Sequence, residues 1–175
     1  VEFEAYGLTA ANGRKLEKTL EGFCELVDAS NLINQLRLIK SAAELAYVQK
    51  AALLADDALT EAHRLASPGA FEGDILAAMQ GAVLSGGGDY PGNEFIIGSG
   101  HDALLCRYKS GRRVLDASDQ LTLEWAGVYR HYHAAMMRTV VIGKPTERQL
   151  ELYDVCREAL EEIEKVLRPG HNFGD

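Results

Sequence analysis

The apolar pattern of this chain changes period twice, and that change limits the folds open to it. Over residues 41–84 the apolar side chains recur at steps of three and four, the spacing of one helix face. Between residues 93 and 143 the step becomes two. Segments 95–98, 104–108, 121–126 and 134–142 are rich in β-branched and apolar residues and read as strands. From Pro145 the helical step returns, with Tyr153, Cys156, Leu160, Ile163 and Leu167 as the predicted buried stripe. Helices, then a block of strands, then a helix do not alternate as a parallel α/β fold would. They predict an α+β fold with an antiparallel sheet covered by helices on one face.

Local signals set the boundaries. Ser41-Ala42-Ala43-Glu44 is a capping box, in which the hydroxyl caps the first turn and Glu44 reaches back. Leu45, Val48, Ala52, Ala55, Leu59 and Ala62 follow as one helix face, and Pro68-Gly69 ends it. A second helix over 71–84 stops at Gly86-Gly87-Gly88, which reads as a linker. Residues 127–131 read as the turn between the last two strands. Before residue 41 the pattern predicts a strand over 1–6, a helix over 10–21, an extended piece over 23–27 and a short helix over 28–38.

Charge excludes some functions. Eighteen basic residues against 26 acidic ones give a net charge of −8, so no basic face is expected for nucleic acid or an anionic membrane. No apolar run is long enough to span a bilayer, and no signal peptide is visible at Val1-Glu2-Phe3-Glu4. Cys24, Cys106 and Cys156 are far apart and odd in number, which predicts reduced thiols and a cytoplasmic location.

Chemistry-bearing residues cluster in the strand block. Glu124 interrupts the apolar run Leu121-Thr122-Leu123-Glu124-Trp125-Ala126. A buried, unpartnered carboxylate there costs several kcal/mol or stays protonated, whereas a carboxylate alternating onto a solvent face costs nothing. His131 and His133 are one residue apart, which in a strand puts both imidazoles on one face. Such a pair can chelate a metal given a third ligand, or can be ordinary exposed histidines. Arg107, Arg112, Arg113 and Arg130 crowd the same region, either as a carboxylate-binding set or as a solvated hairpin face. Phosphate-cradle, zinc-protease and serine-elbow motifs are absent.

From Leu36 onward the chain resembles the creatinase/prolidase/aminopeptidase P family, the "pita-bread" hydrolases. Leu36-Arg37-Leu38-Ile39-Lys40-Ser41-Ala42-Ala43-Glu44 is similar to that family's LRxIKSxxE entry into its catalytic domain. Phe95-Ile96-Ile97-Gly98-Ser99-Gly100 is similar to its first strand, and Asp119-Gln120-Leu121-Thr122-Leu123 stands where the family writes GDLVLLD. Arg138-Thr139 stands in its TRT, and Val166-Leu167-Arg168-Pro169-Gly170 matches the stretch before its next helix. The resemblance implies that residues 1–36 are the tail of an N-terminal domain plus linker. It implies that 37–175 are the first half of a pita-bread catalytic domain, whose second half would close the site.

The family's metallopeptidases carry a histidine about seventeen residues before a first aspartate ligand, and a second aspartate eleven after it. Arg107, Glu124 and Ala135 hold those positions here. Alanine cannot ligate, so the resemblance runs to the metal-free branch that includes creatinase and ectoine hydrolase, with no metal and no cofactor. It implies hydrolysis of a C–N bond in a small polar amidine, guanidine or amide. Glu124, His133 and His131 are then the expected acid/base and nucleophile group, and Arg107, Tyr108 and Tyr132 the expected substrate-binding side chains. It also implies a homodimer. A proline-directed metallopeptidase with altered ligands and a catalytically silent binding module are the alternatives.

Overall fold

In chain order the computed structural model has helices α1 (Ala10–Leu20), α2 (Leu32–Leu38), α3 (Ala42–Leu65) and α4 (Glu72–Ser85). Strand β1 (Ile96–Ser99), a 3-10 turn (Gly100–Leu104), strands β2 (Asp119–Tyr129) and β3 (Tyr132–Ile142), and helix α5 (Glu147–Val166) follow. The structure describes residues 1–104, 111–172 and 174. The chain divides into two units, Val1–Ala46 and Tyr47–Asp175.

No residue of the first unit is buried. Thr9 caps α1 by accepting the Asn12 amide at 3.2 Å. The strand expected over 1–6 is not formed. The Val1 ammonium donates to the Val27 carbonyl at 3.0 Å and the Ala29 amide to the Val1 carbonyl at 2.7 Å, but no ladder extends from them. Short pieces without a third strand or a packed face do not make a stable sheet. The capping box forms as expected, with the Ser41 amide donating to the Glu44 carboxylate at 2.6 Å and the Glu44 amide to the Ser41 hydroxyl at 3.4 Å.

The second unit is built on the sheet. Among the described residues it has three antiparallel strands in the order β1-β2-β3. β2 is the centre, with Ile96 opposite Glu124 on one side and Met137 opposite Glu124 on the other. Leu121, Leu123 and Trp125 alternate toward the helices and are at most 3% exposed. They meet Leu54, Ala55, Ala58 and Ala62 of α3 and Ile75, Met79 and Val83 of α4 in one core. The Trp125 indole N–H donates to the Ala55 carbonyl at 3.0 Å, so the largest core side chain also satisfies its polar atom.

The buried stripe of α3 differs from the expected one. Ala51, Leu54, Ala55, Ala58 and Ala62 are buried, whereas Leu45 is 51% exposed. An alanine-rich stripe lets the helix backbone come close to the sheet, and Gly127 is where it touches. A Cβ there would collide with the Ala51 carbonyl oxygen and lie 2.5 Å from the Ala55 nitrogen. Gly86-Gly87-Gly88 is not a loose linker. Gly87 has φ 83°, the Gly88 amide donates to the Val83 carbonyl at 2.9 Å, and a Cβ at Gly88 would lie 2.7 Å from the Val128 carbonyl oxygen.

Two further expectations change. The stripe expected to be buried on α5 is uncovered: Tyr153 is 66%, Leu160 57%, Ile163 54% and Leu167 75% exposed, because no described segment packs over it. Only Leu104 of the strand expected over 104–108 lies among the described residues, and it ends the 3-10 turn.

Candidate functional site

With Leu121, Leu123 and Trp125 turned to the helices, strand alternation turns Thr122, Glu124, Ala126 and Val128 to the other face. The β2–β3 register adds His133, Ala135, Met137 and Thr139, the partners of Val128, Ala126, Glu124 and Thr122. No helix covers this face over Glu124 among the described residues, and Met137 opposite it is 60% exposed. The face is bounded at two ends. On the β1 side the 3-10 turn lies over it, where the Thr122 hydroxyl donates to the Ala103 carbonyl at 3.2 Å. At the hairpin end the segment after α4 lies against His133, whose Nε2 accepts the Gly92 amide at 3.0 Å.

Glu124 therefore lies mid-face and partly exposed, neither in the core nor on a fully solvated surface. Its neighbours across both ladders, Ile96 and Met137, bring no charge. Among the described strand residues it is the one carboxylate on this face, since Asp119 turns inward with a side chain 3% exposed.

The two histidines are not equivalent. The expected turn over 127–131 is tighter than the sequence suggests: β2 runs on through Gly127, Val128 and Tyr129, and only Arg130 and His131 make the turn. Both have positive φ, 51° and 64°, which a two-residue turn of the type I′ hand requires. His131 is thus in the turn, where strand alternation no longer places its ring, and the expected shared face with His133 does not arise. Its amide donates to the Asp89 carboxylate at 3.2 Å. His133 is on the Glu124 face, with Nδ1 2.8 Å from the His131 carbonyl oxygen and Nε2 taken by Gly92. Both ring nitrogens are engaged, so the expected proton carrier has no free nitrogen in this arrangement.

Tyr132 is on the opposite face from Glu124. Its ring centroid is 5.6 Å from that of Tyr47 at the start of α3, and Tyr129 stands 5.7 Å from the same ring. The expected substrate-binding role does not fit that placement. Being directly opposite Tyr129 makes Tyr132 face the helices, which register reveals and spacing alone does not. Arg107 and Tyr108 lie outside the described residues.

Arg113 is half-buried, and its guanidinium is engaged by groups of the protein itself. Its guanidinium donates to Ser99 Oγ at 2.5 Å, Asp119 Oδ2 at 3.3 Å and Asp116 Oδ2 at 2.9 Å. Its amide donates to the buried Glu72 carboxylate at 2.9 Å, and the Glu72 amide donates to its carbonyl at 2.9 Å. Burial pushes the Asp119 carboxyl up. Amide hydrogen bonds from Asp116, Gln120 and Gly100 and the Arg113 charge outweigh that and hold it below the ordinary carboxylate range. Sequence reading missed Glu72, Ser99, Asp89 and Gly92. Glu72 at the mouth of a helix carries no signal, because an acidic residue in a first turn is common on any surface helix.

Residues 46–175 match the model of metallopeptidase family M24. The chain is 28% identical over 146 residues to the Xaa-Pro dipeptidase of Pyrococcus furiosus, covering 83% of this chain and 42% of that protein. It is 27% identical over 157 residues to the ectoine hydrolase of Halomonas elongata, covering 85% of this chain and 39% of that protein. Zinc-substituted aminopeptidase P of E. coli superposes with a TM-score of 0.82 at 27% identity, over 95% of this chain and 40% of that one. The fold is the α+β pita-bread arrangement, and the chain belongs to the M24 family, which includes creatinase, prolidase and aminopeptidase P relatives. It spans about two fifths of the length of the curated relatives it matches.

The family's name implies a metal centre, and the described residues do not form one. Ala135 offers no donor, Met137 and Ile96 flank Glu124, and His133 has both nitrogens occupied. Among the described residues no group of three or more His, Cys, Asp or Glu side chains stands close enough to hold an ion.

Proposed function

We propose that this chain contributes the catalytic carboxylate of a metal-independent hydrolase. The enzyme would cleave a C–N bond in a small polar amidine, guanidine or amide. Glu124, the one carboxylate that the described strand residues place on the open face of the sheet, between the neutral Ile96 and Met137, is the observation that carries this reading. Its carboxylate would take a proton from a water attacking the amidine, guanidine or amide carbon and pass it to the departing nitrogen, or attack that carbon itself. His133 borders Glu124's face at the hairpin end, and Arg107 would hold a substrate carboxylate. The likeness to an ectoine hydrolase supports a substrate of this class.

The second reading is a proline-directed peptidase, favoured by the dipeptidase and aminopeptidase relatives. Hydrolysis assays on the full-length gene product separate the two, run on cyclic amidines, guanidino acids and Xaa-Pro dipeptides, after chelation and with manganese or zinc restored. Turnover of an amidine or guanidine unaffected by chelation supports the first reading. Dipeptide cleavage that needs the metal overturns it.

A further inference from the structure

His133 fastens one wall of a cavity to the β2–β3 hairpin. The cavity, about 350 Å³, lies between the last turns of α4 and the segment that follows, and is lined by Gln80, Leu84, Asp89, Tyr90, Gly92 and Glu94. Three hydrogen bonds tie that segment to the hairpin. The Asp89 amide donates to the Val128 carbonyl at 2.9 Å, the His131 amide to Asp89 Oδ2 at 3.2 Å, and the Gly92 amide to His133 Nε2 at 3.0 Å.

The first two do not depend on the imidazole's charge, but the third does. A carbonyl oxygen only accepts, so Nδ1, 2.8 Å from the His131 carbonyl, must carry the ring proton. Nε2 is then bare and can accept from Gly92. In the imidazolium both nitrogens donate, and Nε2–H would confront the Gly92 N–H with no acceptor between them. Among the described residues, the titratable and charged groups on the segments packed against His133 are Asp89, Tyr90 and Glu94 on the wall and Arg130 and His131 at the hairpin tip, with Tyr129 and Tyr132 of the same hairpin turned to the opposite face. Glu124 lies further along His133's own sheet face, and the strand partner of His133 is the uncharged Val128.

We propose that His133 is a proton-operated latch on this cavity: the neutral ring holds Gly92 against the hairpin, and the protonated ring releases that end of the wall while Asp89 still tethers the other. The inference stands on this geometry and does not require the hydrolase reading.

The test is nuclear magnetic resonance on the isotope-labelled chain. The ring nitrogens report the tautomer, the ring carbons report protonation of His133, and hydrogen exchange of the Gly92 amide, corrected for its intrinsic rate, reports the latch. The expected result is an Nδ1–H tautomer and a loss of about tenfold in Gly92 protection as His133 itself titrates, the scale of one hydrogen bond. In His133→Gln, which cannot titrate, the pH dependence at Gly92 should vanish whether or not the amide of glutamine holds the wall. Undiminished protection through the His133 titration, an Nε2–H tautomer, or pH dependence that persists in His133→Gln and so belongs to Asp89 or Glu94, would each overturn the proposal.

Discussion

Ala126 and Ala135 lie directly opposite each other in the β2–β3 ladder, one step along the open face from the Glu124–Met137 pair. This pairing puts two methyl groups beside the candidate catalytic carboxylate. Nothing in that pairing can neutralise Glu124 or share an ion with it, and Glu124 is the one carboxylate that the described strand residues place on this face.

The close approach of α3 to β2 predicts that Gly127 cannot carry even a methyl group. Its Cβ would meet backbone atoms of Ala51 and Ala55, which cannot move aside as a side-chain tip can. Gly127→Ala should lose roughly 3 kcal/mol, at the upper end of over-packing costs, in chemical denaturation. A loss below about 0.5 kcal/mol would mean that the helix does not lie that close.

Acid should act on the loop before β2 through Asp119. Its carboxyl is held below the ordinary carboxylate range, so it protonates less readily folded than unfolded. The stability it lends is fully present above the unfolded value of about 3.9 and is lost as pH falls through the lower folded value. Asp119→Asn should cost about 1–3 kcal/mol near neutrality, because Arg113 and two amides lose a charged acceptor. Thermal melts should also show a flatter acid limb for the variant than for the parent. Superimposable acid limbs would place the acid sensitivity elsewhere.

His131 occupies a backbone conformation that glycine adopts more easily. His131→Gly should therefore raise stability by about 1 kcal/mol. A drop instead would show that the imidazole makes a stabilising contact beyond its backbone bond to Asp89.

These features differ in how far the sequence reveals them. The period change between residues 93 and 143 marked the strand block, and the Ser41–Glu44 box marked a helix start, because both depend on neighbours in the chain. Glu124 was legible as a carboxylate on one face of an apolar strand. The shared face expected for His131 and His133 presumes strand geometry at both residues, whereas Arg130 and His131 form the turn and β3 begins only at Tyr132. Neither residue of that turn is the glycine or asparagine that usually announces it. The bond from Gly92 to His133 spans 41 residues, and no local pattern encodes a contact at that distance. The α5 stripe was legible as apolar, but what covers an apolar stripe is a property of the packing, not of the helix.

The central claim is that Glu124 performs the chemistry. Its most direct test is the turnover of Glu124→Gln in the full-length gene product on the best amidine or guanidine substrate. The partly exposed side chain keeps its shape in this variant, so the melting temperature should stay within about 2 °C. The turnover number should fall at least about 100-fold, as expected for loss of a general base or nucleophile. Unchanged turnover with an unchanged melt would make Glu124 an ordinary surface residue and remove the basis of the proposed activity.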